Sequence, residues 1–302
     1  MTRPHSLHWK DLTREEIASA RDGGAVVAIP VGSIEQHAAH LPVETDTRVS
    51  SSVTALAAER AHAVTVLVAP TLAFGFSPHH LSHAGTISLR LETYFAVLTD
   101  IARSIVDSGF TRVVFVNGHR GNSAPLRSKV AELVTDGIPV TAIDYWAPAE
   151  QEWVPLLKGA LKRFGHACEF ETSLMLALKS DDAAAVGRVL ARIGDLAPRL
   201  MQPWIPPGHD SDPISEARAA WPPIFQADDA GYHGDPAKAT VDAGHRLLDV
   251  LAGRLARFFE DFARTPLRFG TSRDPRAPLI SPALIKDRSV RLMPAAGDGR
   301  GR

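Results

Sequence analysis

Residues 25–31, with the sequence AVVAIPV, determine the fold that this chain is predicted to adopt. The run is apolar without interruption and rich in β-branched residues, which is typical of a strand buried on both faces of a sheet. Three similar runs follow in the first half of the chain, at residues 64–69, 112–117 and 139–144. Sheets buried on both faces are mostly parallel, because helices cover each side.

Helical patterns separate these runs. Residues 47–62 are rich in alanine, and residues 91–108 and 124–136 carry apolar side chains at helical spacing. An earlier helix is indicated by the capping box of residues 13–16, and a late one is expected over residues 236–262. Strands that alternate with helices predict an α/β fold with a mostly parallel central sheet.

The composition is that of a soluble globular chain. Of the 302 residues, 45% are apolar and 22% are charged, which excludes a wholly disordered or collagen-like protein. A net charge of −1 gives no excess positive charge for nucleic acid or anionic lipid, and no apolar run is long enough to span a membrane. The single cysteine, Cys168, excludes an intramolecular disulfide. With no signal-peptide pattern near the start, we expect a cytoplasmic protein.

Two segments lie outside this regular pattern. Residues 203–235 are rich in proline and are predicted to form a long surface excursion. Residues 264–302 hold five prolines and nine Lys or Arg against three Asp, without the dense basic run of a nucleic-acid arm. We expect a solvated tail or an arm on a neighbouring subunit. The chain is therefore divided into a main domain, 1–263, and a Pro/Arg-rich C-terminal extension, 264–302.

Thirteen histidines direct attention to metal sites, since histidine is the commonest metal ligand. The richest cluster follows the first strand run, where parallel sheets bind their ligands: Glu35, His37, His40, Glu44 and Asp46. Imidazole and carboxylate groups together suit zinc, manganese or iron. The alternative is a polar loop in which Asp46 caps the next helix.

The third strand run ends in residues 117–122, where His119 lies between two glycines. Glycines permit a tight turn, and a histidine at this end of a strand is well placed to be a ligand. The alternative is a histidine that is satisfied locally by the turn. We expect Asn122 to cap the following helix.

Another cluster, residues 165–173, precedes an apolar helical pattern. His166 and Glu171 stand near the predicted helix start, where Glu171 is either a metal ligand or a simple first-turn acid. Glu169 is expected to face solvent. Cys168 is expected to be a small buried residue and not a nucleophile.

Residues 75–88 contain three histidines between glycines, which indicates a mobile loop over a site. His80 is expected to contact substrate or to form a wall of the pocket. His79 is expected to be a polar surface residue, and the role of His83 is left open.

Together these segments resemble the creatininase family of metal-dependent amidohydrolases. The family pattern Gly-Ser-x-Glu-Gln-His-Gly-Pro-His-Leu-Pro, followed by an acid and Thr-Asp-Thr, stands here as residues 32–42 and 44–47. Four further family elements are similar in the same order along the chain, at residues 77–88, 117–122, 166–173 and 231–240.

The resemblance implies a three-layer α/β/α sandwich and a dinuclear metal centre, commonly in a homohexamer. The implied ligands, matched motif by motif, are Glu35, His37, Asp46, His119 and Glu171. Asp46 is the implied bridge, since a carboxylate has two oxygens. His166 would lie beside the metals as a proton relay, and His40 would orient a ligand.

This chain also departs from the family pattern. Ala38 and Ala39 replace Gly-Pro, and Cys168 replaces a glycine. Creatinine-hydrolysing members carry an acid two residues after the turn histidine, where this chain has Gly121, which argues against creatinine as substrate and for Glu171 as the closing carboxylate. Arg120 could hold a substrate carboxylate or phosphate, or could make a surface or inter-subunit salt bridge.

We therefore predict hydrolysis of a C–N amide-type bond, linear or cyclic, in a small molecule. Two divalent ions (Zn, Mn or Fe) would activate water, and His166 would protonate the leaving nitrogen as general acid. His80 and Arg120 are the candidate substrate contacts. The alternatives are a metal-dependent peptidase or deformylase on the same scaffold, and a non-catalytic metal-binding subunit of a homo-oligomer.

Overall fold

The computed structural model describes residues 4–197 and 230–266. The predicted surface excursion, 203–235, lies outside the described residues except for its last six, and the predicted extension, 264–302, does so except for its first three. In the described part of the chain, no helix has the length and apolarity that crossing a membrane requires.

The core of the fold is a four-stranded parallel sheet in the order β2-β1-β3-β4. The strands are β1 (Val26–Val31), β2 (Val66–Val68), β3 (Val113–Asn117) and β4 (Val140–Asp144). Each of the four apolar runs contains a strand, as predicted; β1, β3 and β4 are each one residue shorter than their runs, and β2 keeps three of the six residues of its run. The predicted parallel sheet is confirmed.

Eight α-helices surround the sheet in the described residues. In chain order they are α1 (Arg14–Asp22), α2 (Thr45–Arg60), α3 (Leu91–Asp107), α4 (Arg120–Thr135), α5 (Glu150–Trp153), α6 (Glu169–Leu178), α7 (Ala183–Gly194) and α8 (Val241–Arg264). Short 3-10 turns occupy Trp9–Asp11, Pro78–His80, Ala147–Ala149, Val154–Leu156 and Pro236–Lys238. The predicted capping box is present at the start of α1, where Thr13 and Glu16 bond reciprocally.

The side chains of β1 divide the interior into two apolar layers. Val26 and Ala28 point to one face, where α2, α6 and α8 pack. Val27 and Ile29 point to the other face, where α3 and α4 pack. Alternate side chains of a strand point to opposite faces, so a continuous apolar run satisfies both layers at once. The three-layer α/β/α architecture is thus confirmed.

The predicted late helix differs from the structure in its start. A 3-10 turn occupies Pro236–Lys238, Ala239 is extended, and α8 begins only at Val241. The side chain of Thr240 accepts a hydrogen bond from the backbone N–H of Ala243, and this cap fixes the start of the helix. The helix packs closely on α6, because a Cβ at Gly244 would lie 1.9 Å from the carbonyl oxygen of Ser173.

The strand order places the site. The connection after β1 runs through α2 on one face of the sheet, and the connection after β3 runs through α4 on the other face. A crevice opens between two such strands at their carboxyl ends. The carboxyl ends of β1 and β3 lie at the same height, because their last residues, Val31 and Asn117, pair with each other. The segments after β1 and β3 therefore begin at the same height, beside this crevice.

Candidate metal centre

The structure brings all five predicted ligands together at the carboxyl ends of β1 and β3. Glu35 and His37 lie on the segment after β1, and Asp46 lies in the first turn of α2. His119 is the N-cap of α4, and Glu171 lies in the first turn of α6. All five side chains are buried. Two acids sit at helix N-termini, where the helix dipole favours negative charge.

Asp46 stands between two imidazoles. Its Oδ1 is 3.2 Å from His37 Nε2, and its Oδ2 is 2.9 Å from His119 Nδ1. Glu35 Oε2 lies 3.1 Å from the same His119 nitrogen, and Glu171 Oε1 lies 3.9 Å from His37 Nε2. The donors thus form two groups, one around each histidine, and Asp46 belongs to both.

Three atoms of this pocket that could bind a metal make no hydrogen bond of acceptable geometry among the described residues, although each has a polar group 2.9–3.3 Å away: Glu35 Oε1, His37 Nε2 and Asp46 Oδ2. A buried polar atom without a partner is costly, so its position needs another explanation. His37 Nδ1 lies 3.2 Å from the carbonyl oxygen of Glu35, and we assign the ring proton to that nitrogen. The lone pair of Nε2 then points at the carboxylates, which is how a metal-bound histidine is oriented. The donor set fits divalent cations.

The pKa values indicate the same need for positive charge. Burial alone would lower the pKa of both central imidazoles, but Asp46 and Glu171 raise the pKa of His37 well above its usual value. Glu35 and Asp46 raise the pKa of His119 to about 10. Burial would raise the pKa of Glu35, but His119 and His80 hold it well below its usual value. Burial raises the pKa of Glu171.

Ser77 orients two predicted ligands, a role the sequence analysis did not assign. Its hydroxyl donates to Glu35 Oε2 at 2.6 Å, and its Oγ lies 3.1 Å from His119 Nε2. If His119 donates from Nε2, its Nδ1 lone pair faces Glu35 and Asp46. The signal was available in the sequence, because Ser77 begins the Ser-x-x-His element.

His80 and His166 lie side by side next to Glu35. Their ring centroids are 4.4 Å apart, and the nearest nitrogens lie 3.3 and 3.5 Å from Glu35 Oε1. His166 Nε2 is 2.8 Å from the backbone carbonyl oxygen of Gln36, and the side-chain nitrogen of Gln36, Nε2, is 3.0 Å from His80 Nδ1. Burial lowers the pKa of His80 to about 3 and that of His166 well below its usual value, so both rings are neutral.

Comparison with known proteins identifies the family. The profile of the Creatininase family, described as creatinine amidohydrolase, matches residues 10–259.

The chain belongs to the creatininase family.

Named relatives of this creatininase-family chain include both amidohydrolases and peptidases. It is 32% identical over 246 residues to a mycofactocin precursor peptide peptidase of Mycobacterium ulcerans, covering 77% of this chain and 85% of that one. It is also 32% identical over 268 residues to the creatinine amidohydrolase of Pseudomonas putida, covering 83% and 93%. A solved mutant creatininase of Zn-Zn type superposes with a TM-score of 0.66 at 26% identity, covering 87% of this chain and all of that one. The predicted class, a metal-dependent hydrolase of an amide-type C–N bond, is confirmed.

The other predicted residues of this family member lie near the site but differ in their contacts. His40 is buried, and its Nε2 is 2.9 Å from Thr172 Oγ1, next to Glu171 on α6. Arg120 follows His119 but is exposed, and its guanidinium donates to the carbonyl oxygen of Phe164 at 3.4 Å. The late motif, residues 231–240, supports His166 through a backbone bridge between His166 and His233.

Three expectations from the sequence were wrong. Glu169 does not face solvent, because it is buried and accepts hydrogen bonds from the backbone N–H groups of residues 158 and 159. Asn122 is not a helix cap, because its side chain joins Gly32 O and the backbone N–H of Phe76. His79 is not a surface residue, because its ring lies half-buried beside His119. Cys168 is buried, as expected.

Proposed function

We propose that this chain hydrolyses an amide-type C–N bond at a dinuclear metal centre. Glu35 and His119 would hold one ion, His37 and Glu171 the other, and Asp46 would bridge them. The observation that carries the proposal is the position of Asp46, whose two oxygens face two different imidazoles inside a buried pocket. Only a carboxylate can serve two cations in this way, one with each oxygen.

Divalent cations bound there would lower the pKa of water to near neutrality and polarise the amide carbonyl. Zinc, manganese and iron all suit a donor set of imidazoles and carboxylates. The similarity to a creatininase of Zn-Zn type supports two ions, and an equally similar creatininase that is described as the Mn form supports manganese as well as zinc.

His166 is proposed to move the proton. Its Nε2 is 2.8 Å from the carbonyl oxygen of Gln36 and donates to it, so the lone pair of Nδ1 faces the centre, 3.5 Å from Glu35 Oε1. A neutral imidazole in this orientation accepts a proton from the attacking water at Nδ1 and passes it to the leaving nitrogen. His80, stacked on His166, is proposed to contact the substrate, and Arg120 to hold an anionic group of it.

A second candidate is a peptidase that acts on a short peptide. It is favoured by the 32% identity to a peptide peptidase over 77% of this chain. Both candidates use the same centre and differ only in the group that the pocket walls admit.

We further propose that the chain is a cytoplasmic homo-oligomer, with a homohexamer as the expected assembly. Five large apolar side chains are exposed on residues 43–91, the part of the chain that includes Asp46, Ser77 and His80: Val43, Phe74, Leu81, Ile87 and Leu91. Exposed apolar surface of this kind often marks a contact between subunits. Light scattering on the purified protein measures the number of subunits directly.

The function is tested by removing the metal and restoring it. Protein stripped with a chelator is assayed against linear amides, cyclic amides, N-formyl amines and short peptides, before and after addition of Zn²⁺ or Mn²⁺. We expect no turnover in the stripped protein and full recovery near two equivalents of metal. A protein that binds no metal, or that turns over equally well without it, would refute the proposal.

A further inference from the structure

His79 lies against one half of the proposed centre, although no motif assigns it there. Its ring is nearly parallel to that of His119, with an interplanar angle of 9° and centroids 5.6 Å apart. A ring nitrogen of His79, a nitrogen of His119 and a carboxylate oxygen of Glu35 all lie within 4.8 Å of one another. The three side chains therefore present donor atoms to one common space.

Gly121 makes this approach possible. A Cβ at position 121 would lie 2.6 Å from His79 Cε1 and 2.2 Å from His119 Nε2, far inside van der Waals contact. Any other residue there would push the two rings apart. A glycine in the first turn of α4 thus leaves space that the imidazole of His79 fills.

The segment that carries His79 is tied to the same two ligands. His79 lies in the 3-10 turn Pro78–His80, directly after Ser77. The hydroxyl of Ser77 contacts both Glu35 and His119, as described above. The turn is therefore fixed relative to the ligands that His79 would join.

We propose that His79 is a ligand of the metal ion held by Glu35 and His119, an inference that rests on the proposed metal centre. Metal–ligand bonds of about 2.0–2.2 Å place two donors of a tetrahedral ion about 3.3–3.6 Å apart. Donors that lie within 4.8 Å of one another therefore converge on one ion when each of them moves by about 1 Å or less. The two ions then differ. The ion beside His119 has two imidazoles, and the ion beside His37 has one imidazole with the carboxylates of Asp46 and Glu171.

The first test is a metal titration. Stripped wild-type protein, the His79→Ala variant and the His83→Ala variant are titrated with Zn²⁺ in competition with a chromophoric chelator. His83 is a matched control, because it lies in the same loop but belongs to no group of ligand-distance donors in the described residues. We expect His79→Ala to keep one tight ion and to bind the other at least about 10-fold more weakly, since even indirect metal contacts contribute 10- to 100-fold. His83→Ala should match the wild type.

The second test does not depend on affinity. Co²⁺ bound to a thiolate gives a charge-transfer band in the near ultraviolet, which imidazole and carboxylate ligands do not give. The His79→Cys variant loaded with Co²⁺ should show this band above the wild-type spectrum, and the His83→Cys variant should not. The wild-type spectrum is the necessary baseline, because Cys168 Sγ lies 3.9 Å from Glu171 Oε2 and is present in every sample.

The outcomes separate this inference from the proposed function. If the wild type binds two ions, and His79→Ala binds both with wild-type affinity while His79→Cys gives no new band, His79 is not a ligand and the centre stands without it. If the wild type binds no metal, the proposed function fails together with the inference. Circular dichroism of each stripped variant shows whether it is folded before the titration.

Discussion

Glu171 and Leu174 are three residues apart on α6, and both are buried, but they face two different environments. Leu174 belongs to the apolar layer that α8 covers with Leu247, Leu251 and Leu255. Glu171 belongs to the metal pocket, where carboxylates and imidazoles face one another without enough hydrogen bonds. Removal of apolar surface from water stabilises the first environment, whereas only positive charge satisfies the second.

This contrast separates stability from activity. The apolar layer contributes to the free energy of unfolding but touches no reacting atom. The pocket contributes little to the stability of the metal-free protein, because buried ion pairs lose in desolvation much of what they gain in attraction. A substitution in the apolar layer should therefore lower the free energy of unfolding and leave the activity nearly unchanged. A substitution in the pocket should lower the activity and leave the free energy of unfolding of the metal-free protein nearly unchanged.

The largest effect is expected from Glu35→Gln. The amide keeps the shape of the side chain and can still accept from Ser77, but it removes the charge that faces His119. Loss of a metal's several kcal/mol of transition-state stabilisation corresponds to a decrease in kcat/KM of about 10³-fold or more. The melting temperature of the stripped variant should stay close to that of the stripped wild type, because His119 keeps Asp46 as a partner.

The separation of stability from activity would be contradicted if Glu35→Gln retained activity, or if the stripped variant failed to fold. Metal content, measured on the same samples, shows whether the loss of activity follows the loss of the ion.

The reverse effect is expected from Leu251→Ala. Leu251 lies on α8 and is fully buried in the apolar layer that α8 shares with α2 and α6, and truncation of such a side chain costs about 2–5 kcal/mol through lost burial and the remaining cavity. Urea unfolding measures this loss. In the folded fraction, kcat/KM should stay within a few-fold of the wild type; a decrease like that of Glu35→Gln would mean that the two regions are coupled.

The fold was largely predictable from the sequence for a physical reason. A strand buried on both faces needs a continuous apolar run, and this signal is local, so all four strands were located. The ends of the helices were less certain from the sequence, because the start of a helix depends on single capping contacts, such as the one that Thr240 makes with the N–H of Ala243.

The predicted ligands converged in the structure because they follow adjacent strands of one parallel sheet. The errors concern side chains whose direction depends on distant partners. Glu169 turns inward to backbone N–H groups of residues 158 and 159, and Asn122 joins Gly32 to the loop after β2. His79 reaches the site only because Gly121, on another element, has no side chain. Such pairings do not appear in a linear pattern.

Ser77→Ala is expected to have an intermediate effect that sharpens the contrast. Ser77 is a positioning residue, since it holds Glu35 and His119 and would itself bind no metal. Loss of such a partner weakens metal affinity by about 10- to 100-fold. Chelator competition measures this change, with Ser82→Ala, an exposed serine of the same loop, as the control. Unchanged affinity would mean that the ligands keep their orientation without the hydroxyl.

A smaller effect, on stability, is expected from Ala38→Gly. Ala38 has a φ of 54°, in the left-handed region, directly after His37. A side chain in this conformation costs about 1–2 kcal/mol, which glycine does not incur, while the greater freedom of glycine in the unfolded chain offsets part of the gain. We expect a net stabilisation of about 1 kcal/mol or less by urea unfolding. Ala39→Gly, one residue further and not left-handed, should destabilise or change nothing; equal gains from both variants would contradict the argument.

The smallest effect is expected far from the pocket, at Glu260 on α8. Its Oε1 accepts hydrogen bonds at 2.9 Å from the backbone N–H groups of His62 and Ala63, and these bonds lower its pKa. The folded pKa is therefore below the unfolded value of about 4.3, so the ionised form favours folding above that value. This contribution is lost as the pH falls through the folded pKa.

Glu260→Gln should thus be less stable than the wild type at pH 7, and the difference should shrink towards zero on acidification. Urea unfolding with chelator present at several pH values, so that metal release does not contribute, measures it. A difference in stability that grows as the pH falls would contradict this prediction and would show that the charge of Glu260 opposes folding.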